Sequence, residues 1–241
     1  IPNVEATAWS CRTNLPPNTA FRGFGGPQGK YVIEAAIVKA AESIGVNPDD
    51  IQKVNLVDDG DEFPYGQVIQ NANAKQSWDD CDVAFKLDKL KHKVETFNSS
   101  NFRYKKGYAV QPICFGISFT NTMMNHARAL VHIYQDGSVV VSTGAVEMGQ
   151  GVNTKLLQIA SENFGVSSDR VRIESTNTLR IANTSPTAAS AGADLNGKAL
   201  EIACKALKKR LVHVAETCFG IKNTTFSQNQ IISADENLQI S

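Results

Sequence analysis

Apolar residues recur at helical spacing in five segments of the chain. Small apolar side chains predict a helix over about residues 28–44, and Asn47-Pro48 followed by two acids predicts the start of a short second helix. Because Ser77 resembles an N-cap, one continuous helix is expected from there to about residue 98. Two more helices are expected over residues 152–164 and 194–219, each followed by a glycine typical of a helix end.

Strand signals concentrate after residue 100. Asp136-Gly137 lies between two β-rich runs and predicts a hairpin. Helices and antiparallel hairpins occur without regular β-α-β alternation, so we expect an α+β fold of mixed sheets with packed helices. The change from helical to strand pattern near residue 100 predicts a domain boundary there. The runs that indicate strands are residues 104–119, 129–134, 138–142 and 171–175, with short strands after residue 224.

The composition of the chain excludes several classes of function. The 24 basic residues equal the 24 acidic ones, so no positive excess exists to bind nucleic acid. No apolar run approaches the ~20 residues of a membrane span. The start lacks a signal peptide and a methionine, so we expect a piece of a longer polypeptide. The five cysteines form no C-x-x-C pair, which favours reduced, mostly buried thiols in a cytoplasmic protein.

Residues 18–28 contain three glycines, two phenylalanines and one arginine just before the first predicted helix. Glycine lets backbone approach a ligand, aromatic rings stack on planar groups, and arginine offers a fixed set of donors. Free N–H groups at a helix start favour anions. The segment therefore suits a planar, partly anionic ligand, although a tight turn with two core phenylalanines and a surface arginine is an equal alternative.

Three further segments could bind a ligand. Residues 147–151 could offer N–H groups and the Gln150 amide to a phosphate, or form an ordinary strand-to-helix turn. Residues 184–194, rich in small and hydroxyl side chains, could contact a bulky ligand, or form a capped loop. Phe119 and Thr120 end a predicted strand, where Phe119 could instead be core. The four histidines lack metal-ligand spacing, and His126 is expected to be a solvated loop residue.

These motifs, together with Thr-Asn-Leu-Pro at 13–16, occur in the order and at the spacing of one family. The chain resembles the molybdenum-binding subunit of the xanthine dehydrogenase and xanthine oxidase family, most clearly outside residues 57–100 and the tail. The resemblance implies a molybdenum-cofactor-binding fold of the xanthine dehydrogenase/aldehyde oxidase type. Residues 1–100 would be the C-terminal part of a first such domain, and residues 101–241 the N-terminal part of a second.

The resemblance also implies a molybdenum hydroxylase of purine catabolism. It would oxidise hypoxanthine to xanthine and xanthine to urate, with water as the oxygen source and a molybdenum–molybdopterin cofactor. Electrons would pass to iron–sulfur clusters and FAD on other regions or subunits. The expected partners are the purine, the remaining parts of the molybdenum subunit, the iron–sulfur and FAD modules and a second copy in a dimeric assembly.

Eight residues receive roles from this resemblance. The family's general-base glutamate is expected beyond Ser241 and its purine-orienting arginine and glutamate before Ile1, so no catalytic residue is assigned and the isolated chain is expected to be inactive. The implied roles are metal lining by Arg22 and Ala189, ring stacking by Phe24 and Phe119, a hydrogen bond to the purine from Thr120, and pterin binding by Gly149, Gln150 and Ser190.

Three alternatives stay open. An aldehyde oxidase or another N-heterocycle hydroxylase of the same family could use a similar pocket. A non-catalytic module could bind the cofactor or serve assembly. An unrelated α+β binding domain would have similar elements without the chemistry.

Overall fold

A computed structural model describes residues 5–18, 20–181, 184–233 and, for the backbone only, 239–240. The chain divides into two compact units, Ile1–Phe115 and Gly116–Ser241. The family-domain boundary expected near residue 100 stays a prediction.

The described residues of the first unit form four helices: α1 (Gly26–Ile44), α2 (Pro48–Val54), α3 (Ala74–Phe85) and α4 (Leu87–Ser100). Helix α1 follows Gly25, whose φ is 89°, and ends before Gly45, whose φ is 71°. Both glycines adopt a left-handed conformation that other residues avoid, which is why the predicted ends hold. The predicted start of α2 is also confirmed, and the Asn47 N–H donates to the Asp50 carboxylate over 3.4 Å.

The prediction of one helix over 77–98 is wrong, because the chain turns at Lys86, whose φ is 51°. Asp82 accounts for the break. Its carbonyl accepts from the Lys86 N–H over 2.7 Å, and its carboxylate accepts from the Leu87 N–H over 3.1 Å. The Asp82 side chain thus binds a backbone N–H group at the start of α4, which favours a break over one continuous helix. Ser77 is not the N-cap either, since α3 begins at Ala74.

The strand predicted over 104–119 is also absent: in the part of the chain that the structure describes, no strand lies between residues 103 and 128. Side chains of the first unit bind carbonyl groups of this segment instead. Lys30 Nζ donates to the Pro112 oxygen over 2.6 Å, and Gln52 Nε2 donates to the Val110 oxygen over 2.9 Å. An extended segment can satisfy its backbone in this way without joining a sheet.

The second unit contains a three-stranded sheet of β1 (Ala129–Ile133), β2 (Val139–Thr143) and β3 (Val171–Ile173), in that order. The predicted hairpin is confirmed, since β1 and β2 are antiparallel with Val131 opposite Val141. Strand β3 is parallel to β2, which the expectation of antiparallel hairpins did not include. Helix α5 (Val152–Phe164) connects these two strands and forms one β-α-β unit.

Helix α6 (Gly192–Phe219) follows β3 and packs with α5 against the sheet. A second antiparallel sheet, β4 (Thr224–Ser227), β5 (Gln230–Ser233) and β6 (Gln239–Ile240), ends the described chain. The predicted bounds of α5 and α6 hold within two residues. The largest fully buried side chains are Leu156, Leu200, Val139, Val141, Val152 and Cys204. This core fixes β2 and the starts of α5 and α6, from which the candidate loops extend.

All five cysteines are free, as expected, but the expectation of mostly buried thiols is wrong. Cys11, Cys114 and Cys218 are exposed and Cys204 is buried. Burial raises the pKa of the Cys204 thiol to about 12. Within the described residues, no helix combines the length and the apolar character needed to cross a membrane.

Candidate functional site

Three loops of the second unit are joined by hydrogen bonds: loop A (residues 118–126), loop B (145–151) and loop C (184–191). The Ser118 N–H of loop A donates to the Ala189 oxygen of loop C over 2.7 Å. The Val146 N–H of loop B donates to the Thr187 Oγ1 of loop C over 3.0 Å. Three motifs that lie far apart in the sequence therefore form one cluster, with loop C in contact with both others.

Loop C places two of the predicted site residues in unusual backbone conformations. Ala189 has φ 52° and Ser190 has φ 56°. Two consecutive non-glycine residues in the left-handed region cost of order 1–3 kcal/mol each, and such strain is concentrated at ligand sites. The loop is held by its own turn, since the Ala191 N–H donates to the Ala188 oxygen over 3.1 Å. Ser190 is exposed and Ala189 is half-buried.

Loop A holds Phe119 by its backbone. The Asn125 side chain accepts from the Phe119 N–H over 2.8 Å and donates to the Phe119 oxygen over 2.8 Å. Phe119 is half-buried and Thr120 is exposed, so the hydroxyl of Thr120 is open to solvent while the ring is fixed at its base. Asn125 has a positioning role that the sequence reasoning missed, because an asparagine in a loop carries no distinctive signal.

Loop B differs from the expectation of free backbone donors. The Glu147 carboxylate accepts from the N–H groups of Gly149 over 2.8 Å, Gly151 over 3.0 Å and Asn153 over 3.0 Å. These donors hold the pKa of Glu147 below its usual value, with the Asn153 N–H the largest cause. The chain's own carboxylate thus caps the start of α5.

Gln150 is also engaged within loop B. Its Oε1 accepts from the Met148 N–H over 2.5 Å, and its Nε2 donates to the Val146 oxygen over 2.7 Å. Gly149 has φ 90°, and a Cβ built there would meet nothing within 4 Å. The loop therefore offers an open, side-chain-free surface at Gly149, and its amide donors bind within the turn. The sequence analysis included Glu147 in this segment but gave it no role of its own.

Arg22 and Phe24 belong to the first unit, in the turn before α1. The Phe24 N–H donates to the Phe21 oxygen over 2.7 Å, and Phe24 has φ 45°. Phe21 and Phe24 are 82% and 80% exposed, so the alternative of two core phenylalanines is wrong. A Cβ added to Gly26 would overlap Cε2 of Phe115, so that ring would have to shift. Arg22 is exposed.

Other features of the described residues do not coincide with these loops. Among the side chains that the structure describes, no group of three or more His, Cys, Asp or Glu is placed to hold a metal ion. A shallow cavity of about 320 Å³ lies on the sheet of the second unit. Its lining includes Arg170, Arg172, Asp169 and Glu174 and none of the predicted site residues.

Comparison with known proteins gives two family matches. Residues 80–240 and residues 1–56 each match a family described as a molybdopterin cofactor-binding domain. The chain is 42% identical to xanthine dehydrogenase/oxidase of Gallus gallus over 217 residues, which is 90% of this chain. It is 42% identical to aldehyde oxidase 1 of Bos taurus over 211 residues, which is 88% of this chain. The chain spans 16% of the length of each of these relatives.

Solved structures with the same fold include quinoline 2-oxidoreductase from Pseudomonas putida 86. The TM-score is 0.67 at 20% identity, over 89% of this chain and 29% of that one. Aldehyde oxidoreductase from Desulfovibrio desulfuricans gives a TM-score of 0.58 at 19% identity, over 79% of this chain and 21% of that one. Together with the family matches, these structures confirm the expected fold of helices and small mixed sheets.

Proposed function

The chain belongs to the family of molybdopterin cofactor-binding domains, and we propose that it forms part of the catalytic subunit of a molybdenum hydroxylase that oxidises purines. The proposed reactions convert hypoxanthine to xanthine and xanthine to urate, with water as the oxygen source. The cofactor, molybdenum held by molybdopterin, supplies the redox centre when it is bound. Iron–sulfur clusters and FAD on other regions or subunits would carry the electrons onward.

The observation that carries this proposal is the joining of loops A, B and C. Loop C fits a bulky cofactor, because Ala189 and Ser190 have small side chains and adopt left-handed conformations of the kind found at ligand sites. Gly149 adds an open surface on loop B. The amide donors of loop B fit less well, since Glu147 and Gln150 bind them within the turn. Small residues beside a ligand permit close approach, and hydroxyl groups satisfy its polar rim.

We propose a task for each residue expected near the cofactor. Ser190 supplies a hydroxyl to the pterin, and Gly149 supplies a surface without a side chain rather than a donor. Gln150 keeps the shape of loop B through its two bonds to the backbone. Ala189 lies beside the metal because its methyl group leaves room. Arg22, exposed on the first unit, would bring a permanent positive charge to the metal's surroundings.

The purine is assigned to three exposed or half-buried residues. The ring of Phe24 is 80% exposed, which leaves an aromatic face available for stacking. Phe119 is half-buried and its backbone is held by Asn125, so the base of the ring is fixed before the substrate arrives. Thr120 offers a hydroxyl that can donate to or accept from a ring nitrogen or carbonyl.

Aldehyde or N-heterocycle oxidation is the second candidate. Aldehyde oxidase 1 of Bos taurus and the xanthine dehydrogenase/oxidase of Gallus gallus are equally similar to this chain, at 42% identity. This equality favours neither substrate. We favour purines because the resemblance gives Phe24 and Phe119 a ring-stacking role, and an aldehyde without a ring gains nothing from aromatic stacking.

We also propose the setting in which this protein works. The remaining parts of the molybdenum subunit, the iron–sulfur and FAD modules and a second copy would complete a dimeric assembly. A reducing compartment such as the cytoplasm suits the five free cysteines.

The test measures urate formed from xanthine by the complete protein, loaded with molybdenum and supplied with an artificial electron acceptor. We expect Phe119→Leu and Phe24→Leu to raise KM for xanthine at least 10-fold, about 1.4 kcal/mol of stacking. Thr120→Val should raise KM while Thr120→Ser retains it. Phe102→Leu is the matched control, because Phe102 is fully exposed and lies outside the predicted motifs. Oxidation of aldehydes without urate formation would support the second candidate, and turnover of neither substrate would overturn both.

A further inference from the structure

Loop A and loop C are joined at two places. At one end, the Ser118 N–H donates to the Ala189 oxygen over 2.7 Å. At the other end, His126 and Ser185 are joined by both backbone and side-chain bonds. The Ser185 N–H donates to the His126 oxygen over 3.4 Å, and the His126 N–H donates to the Ser185 Oγ over 3.3 Å. The segment with Phe119 and Thr120 lies between the two joints.

The His126 ring adds a third bond to this second joint. Its Nδ1 lies 3.2 Å from the Ser185 Oγ and 3.3 Å from the Met123 oxygen. A protonated Nδ1 can donate to the Met123 carbonyl, which only accepts. An unprotonated Nδ1 can accept from the Ser185 hydroxyl. The ring therefore keeps a partner in either state, one within loop A and one in loop C.

The His126–Ser185 contact is also connected to Phe119 through the chain. Asn125, which precedes His126, binds both the N–H and the oxygen of Phe119 over 2.8 Å. A shift of His126 therefore moves Asn125 and the base of the Phe119 ring. A second path runs from Ser185 along loop C to Ala189 and its bond with Ser118. The two paths end at Phe119 and Ser118, the two residues that precede Thr120.

We infer that His126 and Ser185 are a pair of positioning residues that hold the substrate-contacting segment of loop A against the cofactor-contacting segment of loop C. This inference rests on the proposed function, in which loop A contacts the purine and loop C the cofactor. The pair touches neither ligand. It sets the distance between the two segments, and therefore acts on substrate affinity rather than on the chemical step.

The experiment compares Ser185→Ala, which removes the hydroxyl, with Ser185→Thr, which keeps one. His126→Leu and His126→Asn form a second pair, because asparagine places a polar atom near the position of Nδ1. Ser43→Ala is the control: among the described residues, Ser43 Oγ bonds only within α1, to the Lys39 oxygen over 2.9 Å. The complete, cofactor-loaded protein is measured in two ways, by kinetics with molybdenum content and by hydrogen exchange of the Ser118 and Phe119 amides.

We expect Ser185→Ala and His126→Leu to raise KM about five-fold, the worth of one ordinary hydrogen bond, with kcat and molybdenum content retained. Exchange at Ser118 and Phe119 should accelerate, and Ser185→Thr and His126→Asn should restore both readouts. Unchanged exchange and KM would overturn the inference. A fall in molybdenum content that parallels kcat would also overturn it, as a merely structural effect. If the unsubstituted protein oxidised neither purine nor aldehyde, the proposed function would fail, and the exchange rates alone would decide whether the pair joins the loops.

Discussion

Gly144 and Thr184 lie so close together that a Cβ added to Gly144 would overlap the Thr184 Oγ1. It would also lie 3.0 Å from Cγ2 and 3.1 Å from Cβ of the same threonine. Because both branches of a stiff β-branched side chain are near, rotation of Thr184 cannot relieve the overlap. Gly144 directly follows β2, and Thr184 begins loop C. The missing side chain thus lets loop C approach the end of the sheet.

Gly144→Ala should displace loop C from the sheet. We expect a loss of about 1–3 kcal/mol of stability, the usual cost of an inserted methyl group in a packed site, and a lower molybdenum content in the purified complete protein. Metal analysis and thermal unfolding would measure both. Gly116→Ala is the matched control, since a Cβ there meets nothing within 4 Å. Equal behaviour of the two variants would show that loop C does not depend on this contact.

The contacts of the Glu147 carboxylate predict a structural response to acid at loop B and the start of α5. Its pKa lies below the ordinary value of 4.5 because backbone N–H groups, first that of Asn153, stabilise the charged form. Because the pKa of Glu147 is lower in the folded state, the charged carboxylate contributes its full stabilisation above pH 4.5. This contribution is lost as the pH falls through the lower pKa of the folded state. The amide resonances of Gly149, Gly151 and Asn153 should therefore titrate together, with a midpoint below 4.5.

The control for this titration is Glu147→Gln, which keeps the size of the side chain and removes its charge. Its three amides should show no common midpoint in the same range. A midpoint at or above the ordinary carboxylate value would contradict the capping role of Glu147, because the donors would then give no preference to the charged form.

The sequence predicted most helix ends because their causes are local. Gly45 and Gly220 end α1 and α6 with φ 71° and 69°, and such left-handed positions strongly favour glycine. The break at Lys86 was missed because the apolar spacing continues across it. The segment over 104–119 was misread because its backbone bonds go to Lys30 and Gln52, and no local pattern reveals partners so far away.

The candidate site shows the same limit. Its motifs were visible as separate loops, but their joining depends on bonds between residues 41 and 59 positions apart, as for Val146 with Thr187 and His126 with Ser185. The sequence also could not show that Glu147 would occupy the donors of Gly149 and Gly151. A carboxylate next to a glycine-rich turn can face solvent or fold back, and only the three-dimensional arrangement decides between them.

The buried hydrogen bonds of Gln52 predict that replacing this residue destabilises the first unit. It is 4% exposed, and its Nε2 donates to Glu34 Oε2 over 2.6 Å and to the Val110 oxygen over 2.9 Å. Glu34 also pairs with Lys30. Gln52→Leu would leave a buried carboxylate oxygen and a carbonyl without this donor. We expect a cost of about 1–3 kcal/mol, seen as faster hydrogen exchange over residues 108–115.

Gln76→Leu is the matched control for that change, because Gln76 is exposed and, within the part of the chain that the structure describes, its side chain bonds only to the nearby Asp80 over 2.8 Å. Its cost should stay within about 0.5 kcal/mol, as for most surface substitutions. If Gln52→Leu proved as mild as this control, the buried contacts of Gln52 would contribute little to the first unit.

Gly165 and Gly220 allow backbone strain to be separated from steric overlap. Both follow helices of the second unit with left-handed φ values, 62° and 69°. A Cβ on Gly220 would meet nothing within 4 Å, whereas one on Gly165 would overlap the Phe226 carbonyl and lie 2.5 Å from the Ser227 nitrogen. The Gly165 oxygen also accepts from the Asn229 N–H over 2.9 Å. This glycine therefore permits the β4–β5 hairpin to pack at the end of α5.

Gly220→Ala should cost about 1–2 kcal/mol, the strain of one left-handed alanine. Gly165→Ala should cost about 2–5 kcal/mol, because the same strain adds to an overlap that rigid backbone cannot relieve. Hydrogen exchange of the Asn229 amide in the complete protein measures the difference directly. It should accelerate strongly in Gly165→Ala and little in Gly220→Ala. Equal exchange of the Asn229 amide in the two variants would mean that the β4–β5 hairpin shifts freely. Its contact with the end of α5 would then not help to fix this helix, whose start follows loop B.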